Sequence, residues 1–282
     1  MNERIAVIGA GTMGLDIAQA FAMAGADVTV RDMTDEITAR AKARLEKGLA
    51  RRVEKGKMTG EEQNAILSRI RFTTELADCA QAGLVVEAAV EKAEVKKEIF
   101  RALDGICAEN AILASNTSSI SITDIAAVVK NPARVVGMHF FNPATVMKLV
   151  ELVRGVFTTD EVYAKARALA EAAGKTVVEV NECPGFVVNR LLIPMINEAF
   201  GLWAEEVASK EGIDEAMKLG CNHPMGPLAL ADMIGLDVCL FIMDTLYTET
   251  CDSKYRAHTK LRQLVRAGLL GRKTGRGVYT YR

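Results

Sequence analysis

The chain has 282 residues, half of them hydrophobic and a quarter charged, with a formal net charge of −1. This composition indicates a globular protein with room for two domains, and the near-neutral charge gives no reason to expect nucleic acid or an anionic membrane as partner. No apolar run approaches the ~18 residues of a membrane-spanning helix. The six cysteines form no C-x-x-C pair, so we expect reduced thiols and no metal site. The first predicted strand starts within five residues of Met1, so we expect no signal peptide and a cytoplasmic location.

A glycine motif follows the first apolar run. Residues 5–8 (Ile-Ala-Val-Ile) are typical of a strand buried on both faces, and residues 9–14 give G-x-G-x-x-G ahead of an Ala-rich helical segment. Such glycines permit a tight turn, the approach of a pyrophosphate and close helix–strand packing. A carboxylate 18 residues after Gly14, at the end of the next predicted strand, is placed to bind an adenosine ribose hydroxyl. We therefore favour a dinucleotide site over a turn without a ligand, with contacts from Gly9, Ala10, Gly11, Thr12, Met13, Gly14 and Asp32.

Strand-like runs alternate with helical patterns through the first two thirds of the chain. The runs cover residues 5–8, 27–30, 70–72, 84–88, 111–114, 135–140, 148–153 and 176–180. This alternation predicts an α/β fold: a doubly wound, parallel, Rossmann-type sheet with helices on both faces. A long helical stretch over residues 34–69, broken near residues 56–60, forms a helical-hairpin insertion.

The insertion carries a basic stripe at helical spacing. Residues 40–57 contain eight basic and two acidic side chains. We call this segment, residues 34–69, the basic arm. A solvated helix face is the commoner meaning of such a pattern, and a phosphate-rich ligand lying across the basic arm is the alternative.

A domain boundary is predicted at residues 181–185, where Pro184 and Gly185 end a strand. Residues 1–183 form the predicted dinucleotide-binding domain and residues 184–282 an all-α domain. Helical patterns there cover residues 214–219, 228–245 and 253–267, and a first helix places Phe186 and Asn189 on one face. Asn189 interrupts an apolar stripe, and an inward-facing amide needs partners.

Polar side chains interrupt or follow three of the predicted strands. Residues 115–119 (Ser-Asn-Thr-Ser-Ser) follow one, at the sheet edge where ligands bind in open α/β folds, although a polar loop capping the next helix would look similar. His139 and Glu151 each lie inside an apolar run, twelve residues apart. If the two runs are neighbouring strands, they form a His–Glu dyad that serves as general acid/base in alcohol–ketone interconversion, or else a structural buried ion pair.

These motifs together resemble the L-3-hydroxyacyl-CoA dehydrogenase family over essentially the whole chain. Besides residues 9–14 and 115–119, the resemblance rests on residues 139–143 (His-Phe-Phe-Asn-Pro), 147–151 (Met-Lys-Leu-Val-Glu), 184–190 (Pro-Gly-Phe-Val-Val-Asn-Arg), 224–227 and 271–275. Within that family the chain is most similar to the short bacterial 3-hydroxybutyryl-CoA dehydrogenases.

The resemblance implies a role for each matching residue. His139 is the implied catalytic acid/base, Glu151 orients it, and Ser118 and Asn189 bind the reacting oxygen and position the substrate. Further implied cofactor contacts are Glu91, Lys96, Asn116, Ser118, Asn142 and Lys273. Lys55 and Lys57 match the arm that meets coenzyme A, which reverses the preference for a merely solvated face.

The implied activity is hydride transfer between a short (S)-3-hydroxyacyl-CoA and a nicotinamide cofactor. Asp32 favours NAD because it would repel a 2′-phosphate, whereas the adjacent Arg31 leaves NADP open. The all-α domain is implied to bind substrate and form a homodimer. A dehydrogenase of free hydroxy acids or sugar acids, or a non-catalytic dinucleotide-binding protein, remains the alternative.

Overall fold

A computed structural model describes residues 3–281, which divide into two compact units between Glu182 and Cys183. The first unit is built on one eight-stranded sheet with the strand order β3-β2-β1-β4-β5-β6-β7-β8. Its strands are β1 (Arg4–Ile8), β2 (Asp27–Arg31), β3 (Ile70–Thr73), β4 (Leu84–Glu87), β5 (Ile112–Ser115), β6 (Val135–Phe140), β7 (Leu149–Arg154) and β8 (Thr176–Asn181). The order 3-2-1-4-5-6 is that of a doubly wound dinucleotide-binding sheet, which confirms the predicted fold class.

The last two strands correct the prediction of a parallel sheet. β6 and β7 pair antiparallel, and β8 runs parallel to β7, so β7 and β8 are reversed relative to the other six. The connection between β6 and β7 has only eight residues, 141–148. A parallel return needs a crossover of a dozen or more residues, so the chain has to turn back beside the strand that it has just left.

Six α-helices lie within the described residues of the first unit. They are α1 (Thr12–Met23), α2 (Asp35–Glu54), α3 (Gly60–Arg69), α4 (Ala93–Ile106), α5 (Ile122–Ala126) and α6 (Asp160–Ala172). Local capping explains the predicted insertion: the Thr34 hydroxyl accepts from Ile37 N–H to start α2, and Thr59 and Glu62 form a capping box that starts α3. The apolar stripe of α2 packs into the core of the sheet through Ala41, Leu45 and Leu49.

The second unit is helical, as predicted. Its helices are α7 (Val188–Ala204), α8 (Lys210–Gly220), α9 (Pro227–Ile234), α10 (Leu236–Thr250) and α11 (Thr259–Arg266), packed around their own apolar core. No helix within residues 3–281 combines the length and apolar character that a membrane crossing needs.

Three helix boundaries differ from the sequence expectation. Phe186 has φ 50° and lies before α7, so it does not share a helical face with Asn189. The pattern over residues 228–245 is two helices, because Gly235 has φ 106° between α9 and α10. The last helix starts at Thr259 rather than near residue 253, with the His258 side chain accepting from Lys260 N–H as its cap.

Candidate active site

The strand register brings the predicted polar residues of the first unit to one edge of the sheet. Ile8 pairs with both Arg31 and Glu87, Glu87 pairs with Ser115, and Ser115 pairs with Gly137. The carboxyl ends of β1, β2, β4 and β5 are therefore level and each is followed by a residue of the predicted site, whereas β6 continues past this level to Phe140. Ligands of open α/β sheets bind at this edge.

The glycine motif has the geometry that a dinucleotide requires. A Cβ on Gly9 would press on the Ala88 carbonyl, and a Cβ on Gly14 would collide with the Gly9 carbonyl oxygen. A Cβ on Gly11 would meet no atom of the described residues within 4 Å, and α1 begins at the next residue. The first and third glycines are thus required by packing, while the second leaves open space beside a helix N-terminus, which suits a pyrophosphate.

Asp32 and Arg44 bind the two sides of this loop. The Ala10 N–H donates to Asp32 Oδ2 over 2.6 Å, and Arg44 Nη2 donates to the carbonyl oxygens of Ala10 and Gly11 over 3.1 and 2.8 Å. One member of the basic stripe on α2 therefore reaches the loop that the sequence assigned to the cofactor. Arg31 Nε instead donates to the Thr74 carbonyl over 3.1 Å, at the end of the neighbouring strand.

The loop over residues 115–119 is held by a carboxylate of the loop after β4. Glu91 Oε1 accepts from the Thr117 hydroxyl over 2.5 Å and from the Ser118 N–H over 2.9 Å. The hydroxyls of Ser118 and Ser119 each lie 3.3 Å from the same oxygen. Asn116 accepts through Oδ1 from the Phe140 N–H over 2.8 Å, which ties the loop to the end of β6.

Burial raises the pKa of Glu91, but the charge of Lys96 and the hydrogen bonds from Thr117 and Ser118 outweigh it, so the net pKa is below the usual value. Lys96 is 1% exposed and lies beneath this loop, with Nζ 2.7 Å from Glu87 Oε1 and 3.2 Å from Glu91 Oε2. The resemblance implied a cofactor contact for Lys96, but its ammonium points into the protein.

Glu87 is a buried site residue that the sequence analysis missed. It is 0% exposed, and besides Lys96 it accepts from the Ala89 N–H and the Ser115 hydroxyl, each over 2.7 Å. A carboxylate inside the apolar run 84–88 was the available signal. The same reasoning identified Glu151 but was not applied to Glu87.

The predicted His–Glu contact is present. His139 on β6 and Glu151 on β7 are directly opposite in the antiparallel register, and Nδ1 lies 2.8 Å from Oε2. Glu151 is 1% exposed and His139 is nearly buried. An ionised carboxylate can only accept, so Nδ1 carries a proton and Nε2 of the neutral ring is left as the proton acceptor.

The segment between the two strands is anchored by another buried cation that the sequence analysis missed. Lys175 Nζ donates to the carbonyl oxygens of Ala144 and, over 3.0 Å, Met147, and burial lowers the pKa of this amine. Burial also raises the pKa of Asp16 on α1, against opposing effects of the Ala144 N–H and the charges of Arg44 and Lys175. Asn142, an implied cofactor contact, is exposed in this segment.

Other predicted residues lie elsewhere. Lys55 and Lys57 are exposed at the turn between α2 and α3. In the second unit, Asn189 is in the first turn of α7, and Lys273 pairs with Asp237 at the start of α10, with Nζ 2.7 Å from Oδ2. Residues 3–281 contain no cluster of three or more His, Cys, Asp or Glu side chains suited to a metal ion.

Family models match both units. Residues 4–183 match the model described as 3-hydroxyacyl-CoA dehydrogenase, NAD binding domain, and residues 185–281 match the C-terminal domain of the same family. The chain belongs to the 3-hydroxyacyl-CoA dehydrogenase family. As a member of it, this dehydrogenase is an oxidoreductase with NAD as its cofactor, which confirms the activity class and cofactor predicted from the sequence.

Full-length relatives of this dehydrogenase are known. A 3-hydroxybutyryl-CoA dehydrogenase from Clostridioides difficile is 52% identical over 278 residues, covering 99% of each chain. A probable 3-hydroxybutyryl-CoA dehydrogenase from Bacillus subtilis is 53% identical over 279 residues, covering 99% of this chain and 97% of the relative. The crystal structure of (S)-3-hydroxybutyryl-CoA dehydrogenase from Ralstonia eutropha superposes with a TM-score of 0.96 at 51% identity, covering all of both chains.

Proposed function

We propose that the protein interconverts (S)-3-hydroxybutyryl-CoA and acetoacetyl-CoA with NAD. The observation that supports this most directly is the buried His139–Glu151 pair, level with the residues that follow the other strands of an NAD-binding sheet. The names of the full-length relatives support the four-carbon acyl group. NAD, when bound, supplies the acceptor or donor of the hydride.

The proposed reaction gives a task to each residue around the His139–Glu151 pair. Nε2 of His139 takes the hydroxyl proton during oxidation and returns it during reduction, because Glu151 holds the other ring nitrogen in its protonated form. Glu151 also stabilises the imidazolium that forms. We assign Ser118, and Asn189 from the second unit, to hydrogen bonds with the reacting oxygen.

The proposed cofactor contacts come from the glycine loop and from residues that follow other strands or belong to the second unit. The loop from Gly9 to Gly14 is assigned to the pyrophosphate and Asp32 to the adenosine ribose. Asn116, Glu91, Asn142 and Lys273 are assigned to the remaining contacts. The Arg31 guanidinium donates to the Thr74 carbonyl. It is therefore not directed at a 2′-phosphate, which supports NAD over NADP.

Coenzyme A is assigned to the basic arm through Lys55 and Lys57. Both lysines are exposed at the end of the α2–α3 hairpin.

The first domain, residues 1–183, binds NAD. The second, residues 184–282, binds substrate and forms a homodimer, which the exposed apolar side chains of Leu191, Met233, Val238 and Phe241 support. Six free thiols support a cytoplasmic location.

An assay at 340 nm with acetoacetyl-CoA tests the activity. We expect oxidation of NADH, with a higher kcat/KM for NADH than for NADPH. A failure to oxidise either cofactor would contradict the proposal, and equal activity on free acetoacetate would favour a dehydrogenase of free hydroxy acids. Sedimentation at about twice the 30.5 kDa chain mass is the expected sign of the homodimer.

A further inference from the structure

The buried Glu87–Lys96 pair takes no part in the proposed reaction, yet it lies beneath the loop that carries Ser118. Desolvation of two charges offsets most of their attraction, so a buried ion pair is weak evidence for a role in stability. Lys96 also contacts Glu91, 3.2 Å from Oε2, and Glu91 is only partly buried. The pair is therefore in contact with a carboxylate that faces the site.

Glu91 holds Ser118 more strongly when it is ionised. Its Oε1 accepts from the Ser118 N–H over 2.9 Å and from the Thr117 hydroxyl over 2.5 Å, with the Ser118 hydroxyl 3.3 Å away. Hydrogen bonds to an ionised carboxylate are charge-assisted, whereas a proton on Oε2 would weaken them and a proton on Oε1 would place a donor among them. The geometry of Ser118 thus depends on the charge of Glu91.

The charged groups that face Glu91 set that charge. Lys96 faces it from α4, Glu87 lies behind Lys96 on β4, and the neutral hydroxyls of Thr117, Ser118 and Ser119 face it from the loop after β5. Glu87 is fixed by the Ala89 N–H and the Ser115 hydroxyl, so it holds the ammonium of Lys96 in place. Burial opposes ionisation of Glu91, and the charge of Lys96 offsets it together with the hydrogen bonds from Thr117 and Ser118.

We propose that Lys96, held by Glu87, is a positioning residue that keeps Glu91 ionised and thereby fixes the N–H and hydroxyl of Ser118. Lys96 acts through Glu91 and does not touch the cofactor, in contrast to the direct contact that the sequence resemblance implied. This inference rests on the proposed role of Ser118 in the reaction.

The double variant Glu87→Gln/Lys96→Met tests the proposal, because it removes both buried charges together and leaves neither unpaired. Without the cation, the pKa of Glu91 rises and its ionised fraction falls at low pH. The ratio of variant to wild-type kcat/KM for acetoacetyl-CoA is expected to rise from pH 6 towards pH 8.5, by at most ~10-fold for each pH unit that lies below the raised pKa of Glu91. Adding Glu91→Gln should abolish this rise.

Two further measurements keep the test independent of folding and turnover. Glu87→Gln/Lys96→Gln, which also removes both buried charges but retains a hydrogen-bond donor at position 96, should show the same rise as the first double variant. NADH affinity, followed by fluorescence titration of the double variant, should improve over the same pH range because the loop includes cofactor contacts. Lys97→Met is the matched control, because Lys97 is the next lysine of α4 and pairs with Asp124 over 2.7 Å. The ratio of its kcat/KM to that of the wild type should be the same at every pH.

A ratio that stays flat between pH 6 and pH 8.5 in folded variants would overturn the proposal, as would a rise that persists after Glu91→Gln. If the wild-type protein fails to reduce acetoacetyl-CoA, the proposed function is wrong. The pH dependence of NADH affinity then still decides the role of Lys96.

Discussion

His139 owes its proposed role to one contact, the 2.8 Å approach of Nδ1 to Glu151 Oε2. We expect His139→Ala to lower kcat by ~10²–10⁴-fold, the usual contribution of a general acid/base. The affinity for NADH should stay within about twofold, because the glycine loop and Asp32, the proposed contacts of the pyrophosphate and ribose, follow other strands than the one that carries His139. Stopped-flow turnover and NADH fluorescence titration measure the two effects separately. Wild-type turnover in this variant would remove His139 from the mechanism.

Glu151 contributes charge as well as orientation. Glu151→Gln retains an acceptor for the Nδ1 proton but removes the negative charge that stabilises the imidazolium. We expect kcat for oxidation to fall by about tenfold or more, because the imidazolium that forms is no longer stabilised by a negative charge. Initial rates of oxidation by the variant and the wild type check this. A wild-type rate would show that Glu151 only orients the ring.

Single residues could be predicted from sequence where a polar side chain interrupts an apolar run. His139 and Glu151 met this condition, and the structure brings them together. Glu87 met it too, but what makes it important is its contact with Lys96 nine residues later, which depends on how α4 packs on the sheet. The buried Asp214 and Asp232 were missed for a related reason, since the backbone N–H groups that they accept from, those of Leu228 and Val278, lie 14 and 46 residues away along the chain.

The turn from β1 into α1 is the element most sensitive to a single methyl group. Gly14→Ala places a Cβ against the Gly9 carbonyl oxygen, so the loop or the helix must move. We expect NADH affinity to fall at least about tenfold and stability to fall by ~1–3 kcal/mol, the usual cost of overpacking. Fluorescence titration and urea unfolding measure the two losses.

Gly48 on α2 supplies the matched control for that substitution. A Cβ on Gly48 would meet no described atom within 4 Å. Gly48→Ala should therefore stabilise the protein by ~0.5–1 kcal/mol through helix propensity and leave NADH affinity unchanged. Equal losses in the two alanine variants would show that the tight packing at Gly14 has no special role.

Elements were predictable where one local pattern determined them. All eight strands were found: β1, β4, β5, β6 and β7 are nearly continuous apolar runs that are largely buried, and the more exposed β2, β3 and β8 still stand out as short apolar runs beside helical patterns. The reversal of β7 was not expected, because direction depends on the length of the connection and not on the strand sequence. The break at Gly235 was missed because a single glycine inside a helical pattern does not reveal that its φ is 106°.

At the scale of the whole molecule, the net charge of −1 conceals a basic arm. We expect Lys55→Glu/Lys57→Glu to raise the KM for acetoacetyl-CoA by about 5–30-fold, corresponding to ~1–2 kcal/mol of lost attraction for exposed charges. The effect should shrink as salt rises from 0.05 to 0.5 M, because screening weakens exposed charges. The KM for NADH should not change.

A charge-matched control separates a local site from a general field. Lys130→Glu/Lys165→Glu reverses the same number of exposed charges on other parts of the first unit. It should leave the KM for acetoacetyl-CoA within about twofold of wild type. If both double variants raise the KM equally, the net charge of the protein and not the arm attracts the substrate.

The short connection between β6 and β7 has a consequence for how the site assembles. His139 and Glu151 are separated by only twelve residues and meet across an antiparallel pair. The entropy of closing a loop grows with its length, so this contact costs less to close than the pairings of β1 with β4 or of β4 with β5, which join more distant parts of the chain. The reacting pair is thus closed by a short loop of its own, and damage to the glycine loop can abolish cofactor binding while the two side chains still meet.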